Sequence, residues 1–316
     1  MIKAIALTGP TASGKTSLSL ALAERLSAEI ISLDSMQIYK GMDIGTAKAT
    51  ADERERIPHH LIDFLSPCET YSTESYRRDA LMAAREISAR GKLPLFVGGT
   101  GLYLDTLLRG EQSGVPESSK EYREELLSKI KNDADVHALW ERLRAVDPES
   151  AEKIHENNVR RVIRALEIYD TTGIPKSRLD EISRQRAKDI DILVIALDFN
   201  SREALYKRID TRVDEMMVAG LLSEAKKLYG EGLLDGNNTA SQAIGYKELL
   251  SYIRGEGELS AAVELIKQSS RRYAKRQLTW FRHVLAERIY VDTPEGALRG
   301  FDEMLAEALE IIKNKF

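Results

Sequence analysis

Residues 9–16, "GPTASGKT", match the phosphate-binding pattern G-x-x-x-x-G-K-[ST] at every position. Gly9 and Gly14 permit backbone angles that turn N–H groups inward onto phosphate oxygens, and Thr11, Ala12 and Ser13 between them supply those amides. Lys15 can reach the terminal phosphate, and the Thr16 hydroxyl can ligate Mg²⁺. The pattern specifies a di- or triphosphate. It leaves open whether the phosphate is transferred or is only the handle on another group. Asp34, at the end of "AEIISLDS", is a candidate base for a hydroxyl or a Mg²⁺ contact. Arg208 and Arg212 lie four apart on one helix face, where they can clamp a departing phosphate group or pair with Asp210 or Glu215.

These residues need a scaffold, and the flanking patterns predict one. "IKAIALTG" is short, apolar and β-branched, a buried strand. "KTSLSLALAERLS" puts Leu18, Leu22 and Leu26 on one helix face. The glycines therefore sit between a strand and a helix N-terminus, whose partial positive charge favours an anion. "AEIISLDS" reads as a second strand and "LIDFL" as a third; a helix follows, closed by Gly91. "LPLFVGGTGLY" is strand, glycine turn and helix start, with Thr100 as N-cap. Its strand ends in glycines where a nucleotide hydrolase would place an aspartate. From 115 to 188 the pattern is helical, with one helix stopped by Gly173. "DILVIALDF" then returns as a strand, followed by a helix with Asn200 as N-cap and Glu203 at its third position, and "RIYVDT" is a last strand. The expected fold is α/β: a P-loop NTPase-like parallel sheet core, 1–114 and 189–316, interrupted by a helical insertion domain, 115–188.

Hydrophobic content of 43% and charged content of 30% are those of a soluble globular protein. The single Cys68 excludes internal disulfides and any multi-cysteine metal site, as suits a reducing cytoplasm. No apolar run reaches membrane-spanning length, and the N-terminus enters the first strand at once, leaving no room for a signal peptide. His59 and His60 have no second pair at ligand spacing and are read as non-metal residues.

Net charge is −4, but the bases are clustered. Arg160, Arg161, Arg164, Lys176, Arg178, Arg184, Arg186 and Lys188 outnumber the acids of their segment. "KQSSRRYAKRQLTWFRH" carries Lys267, Arg271, Arg272, Lys275, Arg276 and Arg282 with no acid. Tyr273, Trp280 and Phe281 are interleaved there, a composition suited to a phosphate backbone with bases stacked beside it.

Six stretches, "GPTASGKT", "DSMQIYKGMDIGTAK", "VGGTGLY", "NNVRRVIRALE", "ASQAIGYKE" and "AKRQLTWFR", resemble the tRNA dimethylallyltransferase (tRNA isopentenyltransferase) family in order. The resemblance runs from Gly9 to Arg282 with no departure at the motif positions. Eukaryotic members often carry a C-terminal zinc finger, and this chain looks like the bacterial form. The resemblance implies that the diphosphate is handle and then leaving group, and that carbon is what moves. Dimethylallyl diphosphate is the implied donor. The implied acceptor is the N6 amine of the adenosine just 3′ of the anticodon, tRNA position thirty-seven.

The roles it implies are as follows. Asp34 is the base. Lys15, Arg208, Arg212, the loop amides and Mg²⁺ on Thr16 stabilise the departing diphosphate, and Thr100 contacts the nucleotide. Ser35, Met36 and Gln37 hold the flipped adenosine. Arg123, Arg160, Arg161, Arg164, Gln242, Gly245, Arg272, Lys275 and Arg276 complete the surface for the anticodon stem-loop. A cytoplasmic monomer is expected. Two other readings compete: a small-molecule transferase (a nucleotide kinase, or an adenylate isopentenyltransferase acting on free AMP or ADP), which needs neither basic patch, and a non-catalytic RNA-binding module, which needs no P-loop.

Overall fold

Ile2–Thr8 (β1) buries Ala4 to Leu7 completely, as a strand covered on both faces must. The computed structural model describes residues 1–109, 119–183, 187, 189–234 and 239–316. Ala28–Ser32 (β2), His59–His60 (β3), Leu93–Gly98 (β4), Ile190–Asp198 (β5) and Glu287–Tyr290 (β6) complete a sheet in the order β3-β2-β4-β1-β5-β6. All its pairings are parallel. Ile5 is flanked by Leu95 on one side and Leu193 on the other. The helix Lys15–Leu26 lays Leu18 and Leu22 into the core beside Leu197, Leu205 and Ile209. Each such leucine contributes about 1.5–3 kcal/mol. In a parallel sheet the carboxyl ends of the strands share one edge, and ligands bind there. Thr8, Ser32 and Gly98 end β1, β2 and β4 at that edge.

A second cluster fixes what lies beyond it. Ile38, Tyr39 and Met42 pack with Val213, Leu221, Tyr246 and Ile266. These tie the segment after Asp34 to three helices, Arg202–Val218, Leu221–Gly230 and Leu259–Phe281.

The chain divides into two units, Met1–Leu107 with Asp189–Phe316, and Leu108–Lys188. Among its described residues the second carries the helices Lys120–Ser128, Asp133–Val146, Pro148–Lys153, Val159–Thr172 and Lys176–Ser183. Its own core holds Leu143, Ile154, Val162 and Leu166. Gly173 (φ 71°) ends the fourth of these helices, donating its N–H to Tyr169 O. The expected boundary at Val115, and Arg184, Arg186 and Lys188, lie outside the described residues.

Two local expectations are corrected. The third strand is His59–His60 and not 61–65, because Leu61 and Asp63 turn left-handed (φ 55° and 57°) and break the pairing; Leu65 makes only a single bridge to Tyr39. The cap of Arg202–Val218 is Ser201, whose Oγ accepts from Ala204 N, since Asn200 is spent on Asp292. Thr100 precedes the helix Gly101–Leu108, its carbonyl accepting from Leu104 N at 3.3 Å, and its hydroxyl accepts from Ser35 N at 3.1 Å.

Candidate active site

The P-loop leaves β1 through Gly9 (φ 144°), where a β-carbon would stand 2.8 Å from Leu197 O. Gly14 (φ 89°) caps the helix Lys15–Leu26. Lys15 Nζ donates to Gly9 O at 3.0 Å and Pro10 O at 2.6 Å. Burial first, then the neighbouring Arg212 charge, pulls this ammonium down to about 7, with the Asp34 carboxylate holding against them. Arg208 Nε donates to Ala12 O at 2.7 Å, which ties its guanidinium to the loop. Burial lowers the Arg212 guanidinium, whose charge is supported first by Asp34.

Asp34 lies two residues beyond β2. Its Oδ1 accepts from Met36 N at 2.8 Å and Gln37 N at 3.3 Å, an Asx turn that fixes the carboxylate. Behind it runs the glycine turn after β4. A β-carbon on Gly98 would meet Leu33 O at 2.2 Å, and one on Gly99 would meet Gln277 Nε2 at 2.1 Å. Here is the reason this strand ends in glycines and not in an aspartate: the adjoining backbone carries the acid, and only glycine lets it come so close.

These parts line one cleft of about 900 Å³. Thr11, Ala12, Ser13, Gly14, Lys15 and Thr16 form one wall; Arg208 and Arg212 reach it from the helix Arg202–Val218; Asp34, Ser35, Met36 and Gln37 also line the cleft. Gln242, Gly245 and Arg276 also line it. Thr100 joins through its bond to Ser35, 3.1 Å. A group held by cations at one end and met by a fixed carboxylate at the other can lose its phosphate to a proton-bearing nucleophile.

Sequence reasoning missed Gln277. Buried, it accepts from Thr11 N at 2.9 Å and donates to Gly99 O at 2.9 Å, bolting the P-loop to the glycine turn. It missed the place of the aromatics too. Tyr273 lines the cleft, where burial and then Asp34 push its phenol up to about 12. Phe281 is core, and Trp280 packs its ring where a β-carbon on Gly101 would lie. Positions 273, 277, 280 and 281 share one helix face, and that spacing was the available signal. The stacking platform expected there is corrected for Phe281 alone, which is core; Tyr273 and Trp280 are half-buried. On the same helix Lys267 pairs with Asp214, Arg271 with Asp210 and Arg282 with Asp198, whereas Arg272, Lys275 and Arg276 are exposed.

In the helical unit Arg160 and Arg161 are exposed on Val159–Thr172. Arg164 bonds the buried Glu167 at 2.7 Å, and Arg123 approaches the same carboxylate at 3.7 Å. Both therefore also serve that unit's packing.

The chain matches the family model described as IPP transferase over residues 37–284, and that described as isopentenyl transferase over residues 2–63. It is 50% identical over 294 residues to a tRNA dimethylallyltransferase of Geobacillus kaustophilus, covering 93% of this chain and 92% of that one. Its identity to the corresponding protein of Anoxybacillus flavithermus is 45% over 315 residues, 99% and 97% of the two chains. Among solved structures it is similar to a tRNA isopentenylpyrophosphate transferase from Bacillus halodurans (TM-score 0.70, 42% identity, 100% of this chain and 97% of that one). It is also similar to a eukaryotic dimethylallyltransferase acting on tRNA (TM-score 0.83, 31% identity, 100% and 81%).

Proposed function

The chain belongs to the tRNA dimethylallyltransferase family, the IPP transferases, and from that footing we propose how its own residues carry out the reaction. It is a prenyltransferase that modifies N6 of the adenosine at tRNA position thirty-seven, giving N6-isopentenyladenosine. The donor we assign is dimethylallyl diphosphate, and one observation carries the assignment: Lys15, Arg208 and Arg212 line the same cleft as Asp34.

An adenine amine is a poor nucleophile because its lone pair is delocalised into the ring. As the N6–C1 bond forms, an N6 proton passes to Asp34. Oδ1 is held by the Met36 and Gln37 amides, which leaves Oδ2 to take it. The C1–O bond breaks, and diphosphate leaves with the bonding pair. The loop amides, Lys15, Arg208 and Arg212 take up its growing charge. Thr100 and Ser35 hold the adenosine, which must leave its stack to enter the cleft.

Mg²⁺ suits this donor set. Thr16 offers one hydroxyl on an exposed first turn, and among the described residues no three His, Cys, Asp or Glu side chains gather as metal ligands. An ion that takes most of its ligands from phosphate and water fits such a site. Held by Thr16 and the diphosphate, it would neutralise leaving-group charge. The protein acts as a cytoplasmic monomer in this reading; among the described residues no helix is long and apolar enough to cross a membrane.

The test offers labelled dimethylallyl diphosphate to unmodified tRNA and to AMP in parallel, with ATP phosphotransfer as a control. Label in tRNA alone is the expected result. Label in AMP, or phosphotransfer, would overturn the reading.

The exposed bases give a salt signature. Affinity for a nucleic acid falls with salt at a log–log slope of about 0.7 to 0.9 per phosphate neutralised. Arg160, Arg161, Arg272, Lys275 and Arg276 could supply about four contacts, hence a slope steeper than about −2 for tRNA. Arg160→Ala with Arg276→Ala makes it shallower by about 1.5. An unchanged slope in the double variant would make these residues ordinary solvated surface.

A further inference from the structure

The mechanism leaves one clustered carboxylate unused. Glu224 sits in the first turn of the helix Leu221–Gly230. Its two oxygens accept from three successive backbone amides: Asp43 N at 3.0 Å, Ile44 N at 2.9 Å and Gly45 N at 3.1 Å. A fourth bond comes from the Tyr246 hydroxyl at 2.6 Å. Three N–H groups in a row form an anion-binding nest, and the nest belongs to the cleft's own rim, since Gly45, Thr46 and Ala47 line it. Gly45 closes the arrangement, because a β-carbon there would stand 2.5 Å from the Tyr246 ring.

The same rim orients Gln37. Its Nε2 donates to Thr46 O and Ala47 O, both at 3.2 Å. Gln37 Oε1 accepts from Ser32 Oγ at 3.4 Å, and with the N–H groups spent on those carbonyls Gln37 offers the cleft only the second lone pair of that oxygen, an acceptor. An exocyclic amine carries two hydrogens: Asp34 takes one, and an acceptor suits the other. A base with an oxygen in that position would meet repulsion.

Resting on the function proposed above, we infer that Glu224 is a positioning residue: it clamps segment 43–47 and through it holds the Gln37 amide in the orientation that accepts from the adenosine amine. Without the clamp the segment relaxes and the Gln37 amide is free to turn.

The test is a double-mutant cycle on the full chain, read in single-turnover transfer to unmodified tRNA. Glu224→Ala is expected to slow transfer by roughly 10-fold to 10²-fold, the size of effect a misplacement of about 1 Å produces. Apparent donor affinity, set by the P-loop and Arg208, stays within about 3-fold, which also reports that the variant is folded. Glu224→Gln, which keeps one carbonyl acceptor, recovers part of the rate. The decisive comparison is Glu224→Ala in a Gln37→Ala background, where the further loss should be under about 2-fold, because residues acting as a unit are not additive. If the two losses simply multiply, or if Glu224→Ala lowers only the melting temperature, Glu224 does not act through Gln37. Should Glu224→Ala not fold, Glu224→Gln carries the same cycle. A wild-type chain that transfers nothing to tRNA would instead overturn the function on which the inference rests.

Discussion

Asp34→Ala slows dimethylallyl transfer by roughly 10² to 10⁴, the range of general acid–base catalysis, while tRNA affinity changes little. That loss is about 2.7 to 5.5 kcal/mol of transition-state stabilisation. The split follows from the geometry. Asp34 shares one cleft with the cations of the P-loop wall, and its Oδ1 is tied to the Met36 and Gln37 amides, so a carboxylate oxygen is presented to the reacting amine at no reorganisation cost. Binding of the stem-loop draws on exposed bases elsewhere. Asp34→Asn keeps an Oδ1 acceptor for the turn but cannot take a proton, so it should be nearly as slow as the alanine variant. Turnover within threefold of wild type in either variant would remove Asp34 from the role of base.

Donor binding at pH 8 draws about 0.9 of a proton from solution. Lys15 sits near pH 7 in the free protein, so at pH 8 it is mostly neutral. A bound diphosphate favours the ammonium and raises it, and the difference is taken up from buffer. The sign is therefore uptake. Affinity for the donor falls as pH rises above 7, by up to about tenfold per unit until the value in the complex is passed. Calorimetry in two buffers of different ionisation heat measures the proton directly. Lys15→Arg, permanently charged, should abolish the uptake. Lys15→Ala and Arg212→Ala should each slow transfer by roughly 10² to 10³, the usual loss for one charge-stabilising donor, with stem-loop affinity nearly intact. No uptake in the wild type would place Lys15 away from the diphosphate. A variant that lost RNA binding alone would move its residue to the RNA surface.

Much of the site was legible because its signals are local. The loop 9–16 lies between the strand and the helix that its own residues predict, and Asp34 lies two residues past the buried strand Ala28–Ser32. What escaped reading is held together over long separations. Gln277 bonds Thr11 and Gly99, Glu224 bonds residues 43–45, and Arg271 takes Asp210 as its partner. No periodicity in one segment encodes a bond to another. The third strand was misplaced for a different reason: "LIDFL" is a short, mostly apolar run, but Leu61 and Asp63 take left-handed backbone angles, which pattern alone does not reveal in non-glycine residues. Arg164 and Arg123 read as surface charge because Glu167, buried at 2% exposure, looks like any helix acid in the sequence.

The order of the strands bears on how the protein is born. β1 lies between β4 and β5, yet β4 ends at Gly98 and β5 begins only at Ile190, after the helical unit. On a ribosome adding about 5 to 20 residues per second, one flank of β1 waits roughly 5 to 20 seconds for its partner. Throughout that interval a seven-residue apolar strand presents unpaired amides and carbonyls, the template on which nascent chains join one another. The helical unit, with a core of its own, emerges during that wait.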